Sequence, residues 1–151
     1  MKRSLAFTSL FGFLVLLSLS FSSCDKKQNA IPDFPQLLGT WSGETSQGSS
    51  AMFGVTDIKG TLYINQYDLV IYTLGGSQEY RAGSSDGLAA IINKQFKIHL
   101  GSGAAGESYI DGTFDINAMT LYGNWAVYSS GNTTDLTNGT YSCSMVTSST
   151  K

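Results

Sequence analysis

Cysteine, proline and histidine are nearly missing from this chain of 151 residues: two, two and one. Each shortage closes a route. Two cysteines cannot build a disulfide framework. The lone histidine, His99, has no second histidine or spaced cysteine with which to hold a metal. Basic residues are few as well, nine against eleven acidic, for a formal charge of −2. No basic cluster exists to displace counterions from a phosphate backbone, so no nucleic-acid partner is expected. No nucleophile elbow, phosphate loop or His-Glu zinc motif occurs. Asp57, Asp68 and Asp86 fall at turns or strand starts, where aspartate serves the backbone. With no convergent titratable set, neither an enzyme nor a cofactor is expected. Beyond the N-terminus, no window longer than two turns keeps a helical period.

What remains is rich in Gly, Ser and Thr, with Val, Ile, Tyr and Phe in short runs, which predicts an all-β fold. The clearest unit is the hairpin 109–128, YIDGTFDINAMTLYGNWAVY, with a turn at Asp115-Ile116-Asn117-Ala118. Pairing Phe114 with Met119 gathers Ile110, Gly112, Phe114, Met119, Leu121, Gly123 and Trp125 on one face. Tyr109, Asp111, Thr113, Thr120, Tyr122 and Asn124 then take the other. One face is apolar and the other polar on both strands, and a one-residue slip would destroy that agreement.

The rest of the chain repeats the unit. A first strand opens at 37–41. Residues 51–64 read as one long strand, bent by a bulge near 57–60, and 67–74 follows across a tight turn at Asn65-Gln66. Residues 75–87 read as a loop holding Tyr80 and Arg81. Residues 88–92 and 95–100 form a hairpin across Asn93-Lys94, and the last strand runs 139–146. That makes eight strands whose connections alternate long and short. An up-and-down antiparallel barrel with all long loops at one end follows, the alternative being an open β-sandwich. His99 alternates with Phe96, Ile98 and Leu100 and so points outward. Cys143 alternates with Tyr141 and Met145 and reads as a small buried hydrophobe.

The N-terminus reads as an export signal: Lys2 and Arg3, an apolar run from Leu5 to Phe21, then Ser22-Ser23-Cys24. It resembles the bacterial lipoprotein signal, in which a cysteine after two small residues is lipidated and becomes the first residue. The resemblance implies a signal peptide over 1–23, a lipid on Cys24, and a polar tether over 24–36. The domain would then span 37–151. It also implies a membrane anchor at the bacterial cell envelope, at the outer membrane. The alternatives are an ordinary secretory signal or a spanning anchor, for which the run is short.

Gly39 and Trp41 on the first strand resemble the Gly-x-Trp that opens lipocalin and lipocalin-like barrels. This implies a structural Trp41 near the closed, tether-side end and an interior able to take a small apolar or amphipathic ligand. Phe53, Ile110, Trp125 and Tyr141 fall at the loop-side height and are the candidate ligand-binding residues. Gly112 and Gly123 would leave room beside them, or simply accommodate Trp125. A packed interior would favour a second reading, in which another protein binds through the loops or the outer tyrosines Tyr63, Tyr72, Tyr109, Tyr122 and Tyr128.

Overall fold

A computed structural model describes residues 33–129 and 134–147. The chain is all-β among these residues, apart from one 3-10 turn at Pro35–Leu37. The strands are β1 (Gly39–Thr45), β2 (Ser50–Ile58), β3 (Thr61–Thr73), β4 (Gly76–Gly83), β5 (Ala89–Ala90), β6 (Gln95–Gly103), β7 (Gly106–Asp115), β8 (Thr120–Tyr128) and β9 (Leu136–Met145). They form one antiparallel sheet in the order β4-β3-β2-β1-β9-β8-β7-β6, with β5 on β3. Two four-stranded meanders are thus joined where β1 pairs with β9. The sheet curls into an open half-barrel rather than a closed barrel or two separate sheets. β4 and β6 remain as its edges.

Alternation explains the curl. Inward residues from nearly every strand meet in one core, including Trp41, Phe53, Ile64, Leu69, Ile110, Phe114, Leu121, Trp125 and Tyr141. Aromatic rings link its layers: Trp41 meets Phe114 edge-on at 5.0 Å, and Phe96 lies 5.7 Å from Phe53 and 6.1 Å from Phe114. Leu37 is also fully buried, and Phe34 packs on the same core. The folded part therefore reaches back to Phe34, ahead of the expected start at 37.

Two expected features are exchanged. The stretch 51–64 is not one strand but a hairpin, turning at Lys59-Gly60, both at left-handed φ of 55° and 87°. The Asp57 carboxylate accepts from the Gly60 N–H at 2.7 Å. The expected turn at Asn65-Gln66 is instead a bulge inside β3, since Val55 faces Ile64 while Gly54 faces Gln66. A bulge and a two-residue turn both reset which face the side chains take, so alternation cannot distinguish them. The expected loop 75–87 contains β4, paired with β3 from Gln66↔Gly83 to Thr73↔Gly76. The exchanged turn and bulge cancel in the count, but β4 makes nine strands where eight are expected, and the layout changes. The turn at 59–60 and the long connection 84–94 lie at the same end of the sheet, so long and short connections are not sorted by end.

The hairpin of β7 and β8 keeps its faces but not its register. Phe114 faces Leu121 and Ile110 faces Trp125. The turn runs over 116–119, closed by Met119 at φ 50°. Asp115 Oδ1 accepts from the N–H groups of Asn117 and Ala118. A shift of two residues preserves the face of every side chain. Asn93 and Lys94 do make a tight left-handed turn, but the strand before it shrinks to β5, which pairs with β3.

Candidate functional site

The opening of the half-barrel lies between β4 and the later part of β6. Lower down, β5 and the bridge between Ile92 and Gln95 fill the gap. Above them the edges separate around a cleft of about 420 Å³. On β4, Gln78, Tyr80 and Ala82 turn inward while Glu79 and Arg81 are exposed. On β6, Leu100 is the extra residue of a bulge between His99 and Gly101, which splays the strand beside the cleft.

The cleft has a tyrosine floor. Tyr67 lies in it almost wholly covered, and Tyr80 spans it. The Tyr80 hydroxyl donates across the opening to the Tyr128 carbonyl at 2.7 Å and sits 2.6 Å from Gln78 Oε1. Burial pushes the phenol pKa of both Tyr67 and Tyr80 upward, so both stay neutral hydrogen-bonding groups. Leu100 adds an apolar wall, and Arg81, Glu79 and Ser102 stand at the rim. Ser108, also in the lining, donates its hydroxyl to the Ala126 carbonyl at 3.0 Å. A second cleft of about 390 Å³ shares Tyr67 and Arg81 and adds Asp68. The Asp68 Oδ1 atom is buried there with no hydrogen-bond partner among the described residues. Arg81, opposite Asp68 in register, is instead 3.5 Å from Glu79. An unsatisfied carboxylate oxygen beside an apolar floor suits a ligand that carries a hydrogen-bond donor.

The expected ligand residues are brought together, but in the core. Phe53 and Tyr141 stack at 4.8 Å, and Ile110 pairs with Trp125. All four are buried. The Tyr141 hydroxyl donates to the Asp111 carbonyl at 2.7 Å, and Trp125 Nε1 donates to the Thr140 carbonyl at 3.2 Å. Burial raises the Tyr141 pKa well above its usual value. The space beside Gly112 is filled by Tyr141 and Phe96, and Gly123 lies against the Asp111 backbone. Trp125 packs on Gly139, where an added Cβ would come within 2.5 Å of its ring.

Trp41 is fully buried and donates from Nε1 to the Leu37 carbonyl at 3.0 Å. Gly39 holds φ 129°, a conformation that L side chains rarely adopt. Cys143 is buried, its thiol pushed up to about 12 by burial. Cys24 lies outside the described residues. His99 points outward as expected, 2.8 Å from Glu107, which also accepts from Lys97 at 2.6 Å. These contacts hold the Glu107 carboxyl below the usual carboxylate range. Asp111 accepts from the Asn124 backbone and amide on the strand surface. The outer tyrosines do not make one patch: Tyr72 on β3 and Tyr122 on β8 are half-exposed and separated by three strands.

No group of metal-ligating side chains occurs among the described residues. None of their helices is long and apolar enough to cross a membrane. Comparison with known proteins gives no match to a family model, a curated protein or a solved structure. The seam cleft escaped the sequence reading because β4 did. Its only local trace is the alternation Gln78, Tyr80, Ala82 between Gly75-Gly76 and Gly83.

Proposed function

We propose that this chain is a lipid-anchored envelope protein that binds a small amphipathic molecule in the cleft at its seam. The observation that carries the reading is the cleft itself. At about 420 Å³ it falls within the size range of small-ligand sites, apolar at its floor and polar at its rim. Tyr67, Tyr80 and Leu100 would cover the apolar body, and Arg81 at the rim would orient the polar end. The anchor rests on Ser22-Ser23-Cys24 after the apolar run. A lipocalin-like relationship rests on Gly39 and Trp41 and on the run of antiparallel neighbours in the sheet. The core site at Phe53, Ile110, Trp125 and Tyr141 would require stacked, hydrogen-bonded side chains to part, so we place the ligand at the seam. A second reading is favoured by the unpaired edges of β4 and β6, each able to accept an extended peptide of a protein partner.

Leu100→Trp should fill the cleft and abolish saturable binding of anilinonaphthalene sulfonate that envelope lipid extract displaces, with the melting temperature unchanged. Unaltered binding would remove the cleft from the proposal. Cys24→Ala should move the protein from the membrane to the soluble fraction of fractionated cells. An unchanged distribution would remove the anchor.

A further inference from the structure

The described chain enters the fold at one end of the half-barrel, and that end, like the opposite end at Tyr72 and Leu74, presents exposed apolar residues. It collects the start of β1, the end of β9, the turn at 59–60, the connection 84–94 and the turn at 116–119. Among the described residues, three large apolar side chains stand exposed there: Ile92 at 67%, Val146 at 52% and Leu38 at 38%. Hydrogen bonding and packing tie them to a common frame. The Val146 N–H donates to the Thr40 carbonyl at 2.8 Å, two residues past Leu38. Ile92 exchanges backbone hydrogen bonds with Gln95 across the Asn93-Lys94 turn. The Lys94 ammonium lies 5.9 Å from the Phe34 ring centroid, linking that turn to the entering chain. Lys59 and Lys94 occupy turn tips at this same end.

We propose that this end rests in the lipid interface, with Ile92, Leu38 and Val146 as its contact. The inference rests on lipidation of Cys24. Nine residues, 25–33, then separate the acylated cysteine from Phe34. Fully extended they span roughly 30 Å, so this end of the fold cannot leave the bilayer surface by more than that. Within that reach the local concentration of lipid is high, and weak apolar contacts suffice. Charge does not drive the seat. Asp33, Asp57, Asp86 and Asp115 outnumber Lys59 and Lys94 at this end. Asp57 and Asp115 turn their carboxylates back onto their own turns. Contact should therefore be as strong on neutral lipid as on anionic lipid. The seam cleft is then held above the surface, opening sideways rather than toward it.

The test uses the full lipidated protein in phosphatidylcholine vesicles. Cys143 is buried with its thiol at about 12, so Ile92→Cys supplies the one reactive thiol for an environment-sensitive nitrobenzoxadiazole label. Leu74→Cys, 89% exposed at the opposite end, is the control. The label at 92 should emit further to the blue and be quenched severalfold more by spin-labelled lipid than the label at 74. Equal quenching at the two positions on protein that floats with the vesicles would overturn the seat and leave the anchor standing. Protein that does not float would overturn the anchor and the seat together.

Discussion

At the residue scale, Trp41 shows how one side chain can close an end of a sheet. Its ring is wholly buried against Phe114, and its one polar atom reaches the Leu37 carbonyl. The indole thus joins the 3-10 turn to the core. Trp41→Ala should cost about 3–5 kcal/mol, since truncation leaves a cavity and an unsatisfied carbonyl. Trp41→Phe keeps most of the ring and should cost less than half of that. Urea unfolding checks both; equal losses would mean that the hydrogen bond, not the volume, matters. Trp41 was recognisable from its neighbours in sequence. Tyr80 was not, because its value lies in reaching Tyr128, 48 residues away.

At the element scale, the pairing of β1 with β9 is the strand ladder that joins the two meanders among the described residues. It depends on Gly43, which faces Cys143 in register. A Cβ on Gly43 would collide with the Ser142 backbone, which cannot move aside as a side chain could. Gly43→Ala should therefore destabilise the protein by at least about 3 kcal/mol, at the upper end for overpacking. Gly48→Ala, in the open turn after β1 at φ 76°, meets no neighbour within 4 Å. It should cost only about 1 kcal/mol of backbone strain. Denaturation midpoints of the two variants check the contrast, and equal midpoints would show that the joint tolerates a side chain. The same joint is braced by the turn over it: Ser46 exchanges hydrogen bonds with Thr140. The Gln47 carboxamide pairs with the Tyr72 backbone at 2.8 Å in both directions, extending the β2–β3 ladder ahead of the start of β2.

At the scale of the whole molecule, the buried tyrosines and Cys143 set an alkaline limit. Burial raises the pKa of Tyr67, Tyr80 and, most of all, Tyr141, and takes Cys143 from 9.0 to about 12. The folded state keeps protons that the unfolded chain releases. Stability is therefore complete below about pH 9 and falls as pH rises through 9 to 10 and beyond. Tyr141 alone should remove up to about 1.4 kcal/mol per pH unit above its unfolded value of 10.0. Denaturant midpoints between pH 8 and 11 should fall, and Tyr141→Phe should show a shallower decline from a lower start. A flat profile would mean that these groups reach solvent.

Local pattern alone was enough for the all-β class, the inward and outward faces of the hairpin from Tyr109 to Tyr128, the outward His99 and the burial of Cys143. These follow from alternation, which is local and survives a register shift of two. Three features were decided only by tertiary structure. The bulge at Asn65 and the turn at Lys59-Gly60 give the same reversal of faces, and pairing with β2 distinguishes them. β4 is a strand because β3 is long enough to hold it. The interior is occupied by Phe53, Trp125 and Tyr141, and the opening falls at the seam, because closure depends on how far β6 splays from β4. Contacts between strands distant in sequence set that separation, and no local pattern records it.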